Sequence, residues 1–418
     1  MERLILIGNP GNRRTTGLQQ ARAALGLPPA HVVSYLDLLQ GRSLEELAEP
    51  RRGRGGSDSG SVVPLLRLDA PGELFAVERE MIALGAPDRS GDSISDRLLP
   101  YGHLPDPEPW SARAALAVEE QKGRLYHPSQ WFRGFGRLLA RLDQEAAILW
   151  PGVKWQNVPR DIIQMFDKRQ TSRVLKEAGV AVPRLLAPPE SLPDYESLRE
   201  TMLRLRMHRV FIKLAAGSGA CGVIAYQLNP ATGAEIAVTT IGVERFRTRP
   251  PMFYNSMKLC RYTENKDIRL IVGWLLRHGA HVEQWIAKAA YGERAFDIRQ
   301  LVVAGEACHR IARVSRTPIT NLHLRSERMD VRELGLTDET IAGMEACAVK
   351  AAAAFSASAV AGVDVVVARG SFRAYAVDVN PFGDLLYRVQ YNGLDTYTWE
   401  MKRLSELQLD ACRGQDGP

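Results

Sequence analysis

Asp364, Asp378 and Asn380 are the residues whose type and spacing say most about chemistry. Asp364 interrupts the apolar run Gly-Val-Asp-Val-Val-Val, and Asp378 and Asn380 stand in the next run, Ala-Tyr-Ala-Val-Asp-Val-Asn-Pro. Residues two apart on a strand face the same side, so Asp378 and Asn380 project together. Pairing the two runs as a hairpin across Arg369-Gly370 brings Asp364 to that side as well. Isolated acids at strand ends often cap turns. Here the apolar flanks place them inside strands, where an unpaired carboxylate is costly. Three oxygen donors with no thiol or imidazole suit Mg2+, which keeps positions open for phosphate oxygens.

Phosphate-binding chemistry has further candidates. Lys213 ends an apolar run and leads into Gly217, Ser218, Gly219 and Gly222. The lysine is a point charge, and glycines let backbone N–H groups approach oxygens closely. The same pattern also describes an ordinary hairpin with a surface lysine. Lys168 follows Asp167 at the start of a helical segment, where the helix terminus already favours anions. A lone lysine there is otherwise simply solvated. The segment His281-Val-Glu283-Gln284-Trp285-Ile286 ends a strand in polar groups that offer peptide donors and acceptors to a flat base, or is a plain half-buried strand. Arg299, two residues after Asp297, and Arg313 lie in successive apolar strands. Buried arginines need anions, and either a phosphate-bearing ligand or a salt bridge, for instance with Asp297, supplies one.

The elements that must position these residues are legible from periodicity and breakers. An opening strand at 3–7, a helix at 16–25 and further strands at 31–35 and 62–68 predict an α/β beginning, with a Gly/Ser/Arg loop at 51–60. The loop after the first strand is not a dinucleotide fingerprint. A Pro/Asp/Gly-rich loop precedes residue 110, a helix is expected at 111–121, and an amphipathic helix at 130–144. Tyr126 to Ser129 with Trp131, Phe132 and Arg133 are a candidate substrate rim, or a helix start capped by Ser129 with aromatic core residues. A boundary falls near residue 155. Helices follow at 167–178, stopped by Gly179, and at 194–207. Strands follow at 210–214, 223–227, 236–240, 281–285, 296–303 and 307–313. Thr337 caps a helix running to about 356, and strands at 363–368 and 372–379 close the series. Three units are expected: 1–155, 156–400 and a C-terminal tail at 401–418.

The chain has 418 residues, with 45% hydrophobic and 24% charged. This is the balance of a protein able to bury a large core. Five scattered cysteines form no zinc or redox motif and point to a reducing, cytoplasmic setting. The N-terminal apolar run is too short for a signal peptide, and no membrane helix is expected. The net charge of +6 is spread among acids and apolar residues, without a nucleic-acid motif.

Taken in order, these signatures resemble the ATP-grasp superfamily. They are Asp167-Lys168 with its helix and Val-Pro183 sequel, the strand lysine and Gly loop, Glu-Gln-Trp-Ile, Asp-Ile-Arg299, and Arg313-Val-Ser followed by Thr-Pro-Ile-Thr-Asn321. Gly-Val-Asp364 and Asp378-Val-Asn380 complete the order. The resemblance spans residues 157–386 and looks closest to the branch of ribosomal-protein glutamate ligases and glutathione synthetase. It implies an ATP-grasp fold behind an N-terminal, substrate-side α/β domain. It also implies phosphate binding by Lys168, Lys213 and the Gly loop, and adenine binding by residues 283–286. Arg299 and Arg313 would steady the γ-phosphate or the tetrahedral intermediate, Asn321 would sit beside the phosphates, and Asp364, Asp378 and Asn380 would carry Mg2+, with Mn2+ as a substitute. The sequence departs from the pattern in four places. Asp378 stands where Glu is usual, the hinge reads Glu-Gln rather than Gln-Glu, the glycines after Asn321 are missing, and residues 228–280 are long. The implied activity is an ATP-dependent ligase joining a carboxylate to an amine or thiol through an acyl phosphate. The alternatives are a kinase acting on a hydroxyl and a degenerate nucleotide-binding protein. The expected partners are ATP, a carboxylate and an acceptor that is a small molecule or peptide. Neither nucleic acid nor membrane is expected, and a homo-oligomer is left open.

Overall fold

The computed structural model describes residues 3–48, 63–89, 106–217, 221–324 and 326–413. The loop expected at 51–60 lies outside them, as do Ser218 and Gly219. The first sheet is parallel, in the order β2 (His31–Ser34), β1 (Leu4–Gly8), β3 (Leu65–Leu68), β4 (Lys154–Trp155). Parallel strands are covered on both faces, which explains why every residue of β1 and β3 is buried. Helix Pro128–Leu149 supplies much of that cover through Phe132, Phe135, Leu138, Leu139 and Leu142. It begins earlier than the sequence pattern indicates. Pro128 needs no N–H partner in a first turn, and Ser129 is inside the helix, bonded to His278, rather than capping it. The helix expected at 111–121 is only Ala112–Leu116.

Two antiparallel sheets follow. One runs β8 (Met252–Tyr262), β7 (Glu235–Glu244), β6 (Val223–Leu228), β5 (Arg209–Lys213), β9 (His281–Gln284). Helices Tyr195–Arg204 and Asn265–Arg277 cover one face, where Leu198, Met202, Ile271 and Leu275 meet Val210, Ile212, Ile224 and Val282. The long 228–280 region is therefore the β7–β8 hairpin and the second of these helices. The other sheet runs β13 (Glu327–Met329), β12 (Glu306–Ser315), β11 (Arg294–Val303), β14 (Val360–Val367), β15 (Ala374–Asn380), with β10 (Ala290–Tyr291) paired to β11. Helices Lys168–Glu177 and Asp338–Ala353 cover its outer face through Leu175, Met344, Ala348 and Ala351. Each antiparallel sheet thus has one helix-covered face and one left to meet the other sheet.

The segment expected as a C-terminal tail is instead helix Thr396–Arg413. Its Tyr397, Met401 and Leu404 pack on Leu4, Leu6 and Leu18 of the parallel sheet and its first helix. Among the described residues no helix is long and apolar enough to cross a membrane.

Candidate nucleotide and metal site

The register of β5 against β9 pairs Lys213 with His281 and Phe211 with Glu283. Alternation then sends Val210, Ile212 and Val282 into the helix-covered core and Lys213, Phe211, His281 and Glu283 to the opposite face. Gln284 pairs with Val210 and so takes the core side. Of the hinge acid and the hinge amide, only Glu283 faces the same side as Lys213. Its carboxylate is held by Lys213 Nζ at 2.5 Å and His281 Nε2 at 3.0 Å. Burial opposes ionisation of Glu283, but the Lys213 charge and the hydrogen bond from His281 outweigh it and draw its pKa down to about 2. Burial likewise opposes the charge on Lys213, and Glu283 and then Asp378 more than restore it, so its pKa is raised. Trp285 continues the strand with Arg209 stacked 4.0 Å from its ring centroid. Ile286 follows, half-buried.

Lys168 comes from the first turn of its helix, whose cap Asp167 accepts from the Arg169 N–H at 3.0 Å. Its Nζ donates to the Gly217 carbonyl at 2.7 Å and lies 3.5 Å from Asp378 Oδ2. Gly222 sits at φ +65°, where a Cβ would also collide with Leu214, so glycine is required there. Lys213 Nζ donates to the Val377 carbonyl at 3.2 Å, joining the first antiparallel sheet to the second.

On the second sheet β14 pairs antiparallel with β15, Asp364 directly opposite Asp378 and Gly362 opposite Asn380. A bulge at Val377 keeps both acids on the inner face while Val363, Val365, Ala376 and Val379 stay in the core. Asn380 Nδ2 donates to the Gly362 carbonyl at 2.9 Å, leaving its carbonyl oxygen for a ligand. Asp364 is held by Arg299, through Nε and through Nη2 at 3.3 Å, and by Arg313 Nη2 at 3.1 Å. Each arginine also holds a second acid, Arg299 with Asp384 at 2.7 Å and Arg313 with Asp297 at 2.7 Å. Arg299 therefore does not pair with its strand neighbour Asp297, because β11–β12 register puts Asp297 opposite Arg313. Asn321 lies in the connection between β12 and β13, its N–H donating to Ser326 Oγ at 2.9 Å.

Lys288 and Asp384 had no sequence signal strong enough to single them out, and His281 stands out in sequence only as the start of the 281–286 segment. Lys288 Nζ lies 3.0 Å from Asp297 Oδ2 and bonds Thr320, and burial lowers its pKa. Asp384 follows the Pro-Phe-Gly sequel of Asn380, and His281 opens β9. An isolated lysine and acid in connectors look solvated until the partner strand is known. The donor chemistry fits a hard divalent cation, since Asp364, Asp378 and Asn380 present oxygens on one face of paired strands. Both arginines on Asp364 have a second acid, so one Asp364 oxygen can turn to a cation without stranding either guanidinium. Among the described residues no group of three or more His, Cys, Asp or Glu side chains is placed to hold a metal. This set has two carboxylates and one amide.

A parallel α/β unit leads into two antiparallel sheets that close on each other through Lys168, Lys213 and an acid-bearing strand. No family model matches the chain, and no curated protein matches it. Among solved structures it is similar to the ATP-grasp ligase PsnB with a minimal precursor, Mg and ADP, at 14% identity and a TM-score of 0.48, over 96% of each chain. It is similar to the macrocyclase MdnC with precursor peptide MdnA from Microcystis aeruginosa, at 11% identity and a TM-score of 0.49, over 96% of this chain and 99% of that one. It is also similar to D-alanine–D-alanine ligase from Bacillus anthracis with ATP, at 11% identity and a TM-score of 0.47, over all of both chains. Identities and scores of this size carry neither activity nor substrate across.

Proposed function

We propose that this chain is an ATP-dependent ligase that activates a carboxylate as an acyl phosphate and joins it to an amine, releasing ADP and phosphate. The observation that supports this most directly is the convergence of Lys168 and Lys213 on the strand that carries Asp378. Lys168, Lys213, Gly217 and Gly222 would bind the phosphates, and Glu283 to Ile286 the adenine. Arg299 and Arg313 would bind the transferring phosphoryl group or the tetrahedral intermediate, with Asn321 beside them. Asp364, Asp378 and Asn380 would hold Mg2+, which supplies charge neutralisation at the phosphates. Fixed cations of this kind act by positioning and by stabilising charge as it develops, so no covalent enzyme intermediate is needed. The parallel sheet would form the acceptor side, with residues 1–155 as the substrate-side unit.

In this proposal MgATP turnover, screened over a panel of carboxylates and amines, falls about 100-fold or more in Lys213→Ala and Asp378→Ala, the scale of losing one electrostatic stabiliser. Phosphate release with and without Mg2+ measures it, and unchanged turnover in both variants would overturn the assignment. Hydroxylamine would trap the acyl phosphate as a hydroxamate. A stable phosphoester product would instead identify a kinase acting on a hydroxyl.

A further inference from the structure

Amide formation from an amine leaves one proton to be placed. At neutral pH the acceptor arrives as an ammonium ion, and only its unprotonated form has the lone pair that attacks an acyl phosphate. The carboxylates already described are committed elsewhere. Glu283 is bound to Lys213 and His281, Asp297 to Arg313 and Lys288, and Asp364 to two arginines.

Glu78 is placed differently. It lies in the first turn of helix Phe75–Leu84, which follows the carboxyl end of β3. Val77 and Met81 of that helix share an apolar cluster with Ala215 and Ala216, just beyond Lys213, and with Phe382, just beyond Asn380. The helix and the ends of both strands that carry the nucleotide-side residues thus share one apolar core. On the other side, Glu78 Oε1 lies 3.8 Å from where a Cβ on Gly72 would stand. The Gly72 carbonyl accepts from Asn9 Nδ2 at 2.8 Å, and Asn9 directly follows β1. Strand order β2-β1-β3 makes the gap between β1 and β3 the point where the chain reverses its direction of growth. Such switch points, at the carboxyl ends of parallel strands, are where open α/β sheets bind ligands. Asn9 is 4% exposed and its side-chain oxygen has no partner there.

Glu78 also reaches the phosphate side electrostatically. The Cys221 thiol, directly before Gly222, is pushed up to about 12 by burial and then by Glu78, while Lys168 pulls the other way. Cys221 thus feels both Glu78 and a lysine of the phosphate site. Burial raises the Glu78 carboxyl to about 7, with the Trp131 indole opposing. A carboxyl that is part-ionised at neutral pH can take a proton and return it to solvent.

We infer that Glu78 is the general base for the acceptor amine, at the junction of the parallel-sheet switch point and the phosphate loop. This rests on the ligase activity proposed above. The Glu78 carboxylate takes one proton from the ammonium. The freed lone pair forms the C–N bond at the acyl-phosphate carbon, and the C–O bond to phosphate breaks with its electron pair on the leaving phosphate. The second N–H proton leaves with that phosphate, and Glu78 gives its own proton to solvent.

The test uses full-length protein, MgATP and each of the twenty L-amino acids as both carboxylate and amine, with and without hydroxylamine. Hydroxylamine nitrogen is already unprotonated at neutral pH and needs no base. Glu78→Gln should lower amide formation about 100-fold, the lower end of general-base effects, and abolish the acidic limb of its pH–rate profile. Hydroxamate formation should stay within about twofold of wild type, and Glu78→Asp should recover part of the amide rate. Equal losses of amide and hydroxamate would overturn the inference in favour of a structural role, and so would no loss of either. Absence of MgATP turnover in the wild type would instead sink the ligase assignment beneath it.

Discussion

Asp297 connects more of the inner face than its sequence position suggests. It is buried between Arg313 and Lys288, with Thr320 bonded to the same carboxylate as Lys288. Burial opposes its charge, but Arg313 and then Lys288 draw its pKa down to about 2. Removing that charge while keeping the shape strands the buried Lys288 ammonium and leaves Arg313 with Asp364 alone. Asp297→Asn should therefore cost about 3–5 kcal/mol, the range for breaking a buried pair by losing one partner. Lys288→Met made in the Asp297→Asn background should recover part of it, since one stranded charge is gone. Urea unfolding of the four-member cycle measures the coupling, and strictly additive effects would mean that Lys288 and Asp297 do not act as a pair.

At the scale of elements, the helix that carries Glu78 is fixed by an unusually close helix crossing. A Cβ on Gly85, its C-cap, would collide with the Gln130 carbonyl, and one on Gly134 would collide with the Met81 carbonyl. No rotamer change relieves a clash with backbone, so the two helices would have to part. Gly134→Ala should destabilise by about 3 kcal/mol or more, as overpacking a well-packed core does. Gly343 offers the contrast. It is exposed in helix Asp338–Ala353 with nothing within 4 Å of its Cβ position. Gly343→Ala should stabilise by about 0.5–1 kcal/mol through the unfolded chain and helix propensity. Thermal unfolding of both variants decides the point, and a tolerated Gly134→Ala would mean the helices are not held so close.

Across the whole molecule, two titrating groups at the junctions between units pull stability in opposite directions with pH. His278, at the end of helix Asn265–Arg277, meets Ser129 of the Pro128–Leu149 helix at 3.1 Å. Burial, then His127, lower its pKa to about 4, with Asp106 opposing. Unfolded His278 would bind protons from about pH 6.5 downward, so its contribution is present above that pH and is lost as pH falls towards 4. Glu78 behaves oppositely. Its raised pKa of about 7 lets the folded state bind a proton first, so its contribution is present at low pH and is lost as pH rises towards 7. The wild-type profile between pH 7 and 5 therefore hides two terms of roughly 2 kcal/mol each. Relative to wild type, His278→Gln should gain stability on going from pH 7 to 5, and Glu78→Gln should lose it. Parallel urea titrations at the two pH values test this, and variants that track the wild type would refute it.

Much of the site could be read from local pattern because alternation and spacing are local. Asp378 and Asn380 share a face by the period of a strand, apolar flanks mark Asp364 as internal, and Gly179 and Gly222 adopt the positive φ that their turns need. What pattern could not supply was register, bulges and partners distant in the chain. Glu283 rather than Gln284 faces Lys213 only because of how β9 pairs with β5. The bulge at Val377 decides which way the acids of β15 point. Asp384, Lys288 and Glu78 acquire Arg299, Thr320 and Trp131 from elements tens of residues away. The helix in place of a C-terminal tail shows the same limit. Its apolar face is defined by the parallel sheet it covers, and Glu400 is buried there only because Arg67 of β3 receives it. The types and order of the chemical groups were therefore set by sequence alone. Which of them meet, and with what charge, was decided by tertiary packing, because burial and ion pairing depend on neighbours that the local chain does not contain.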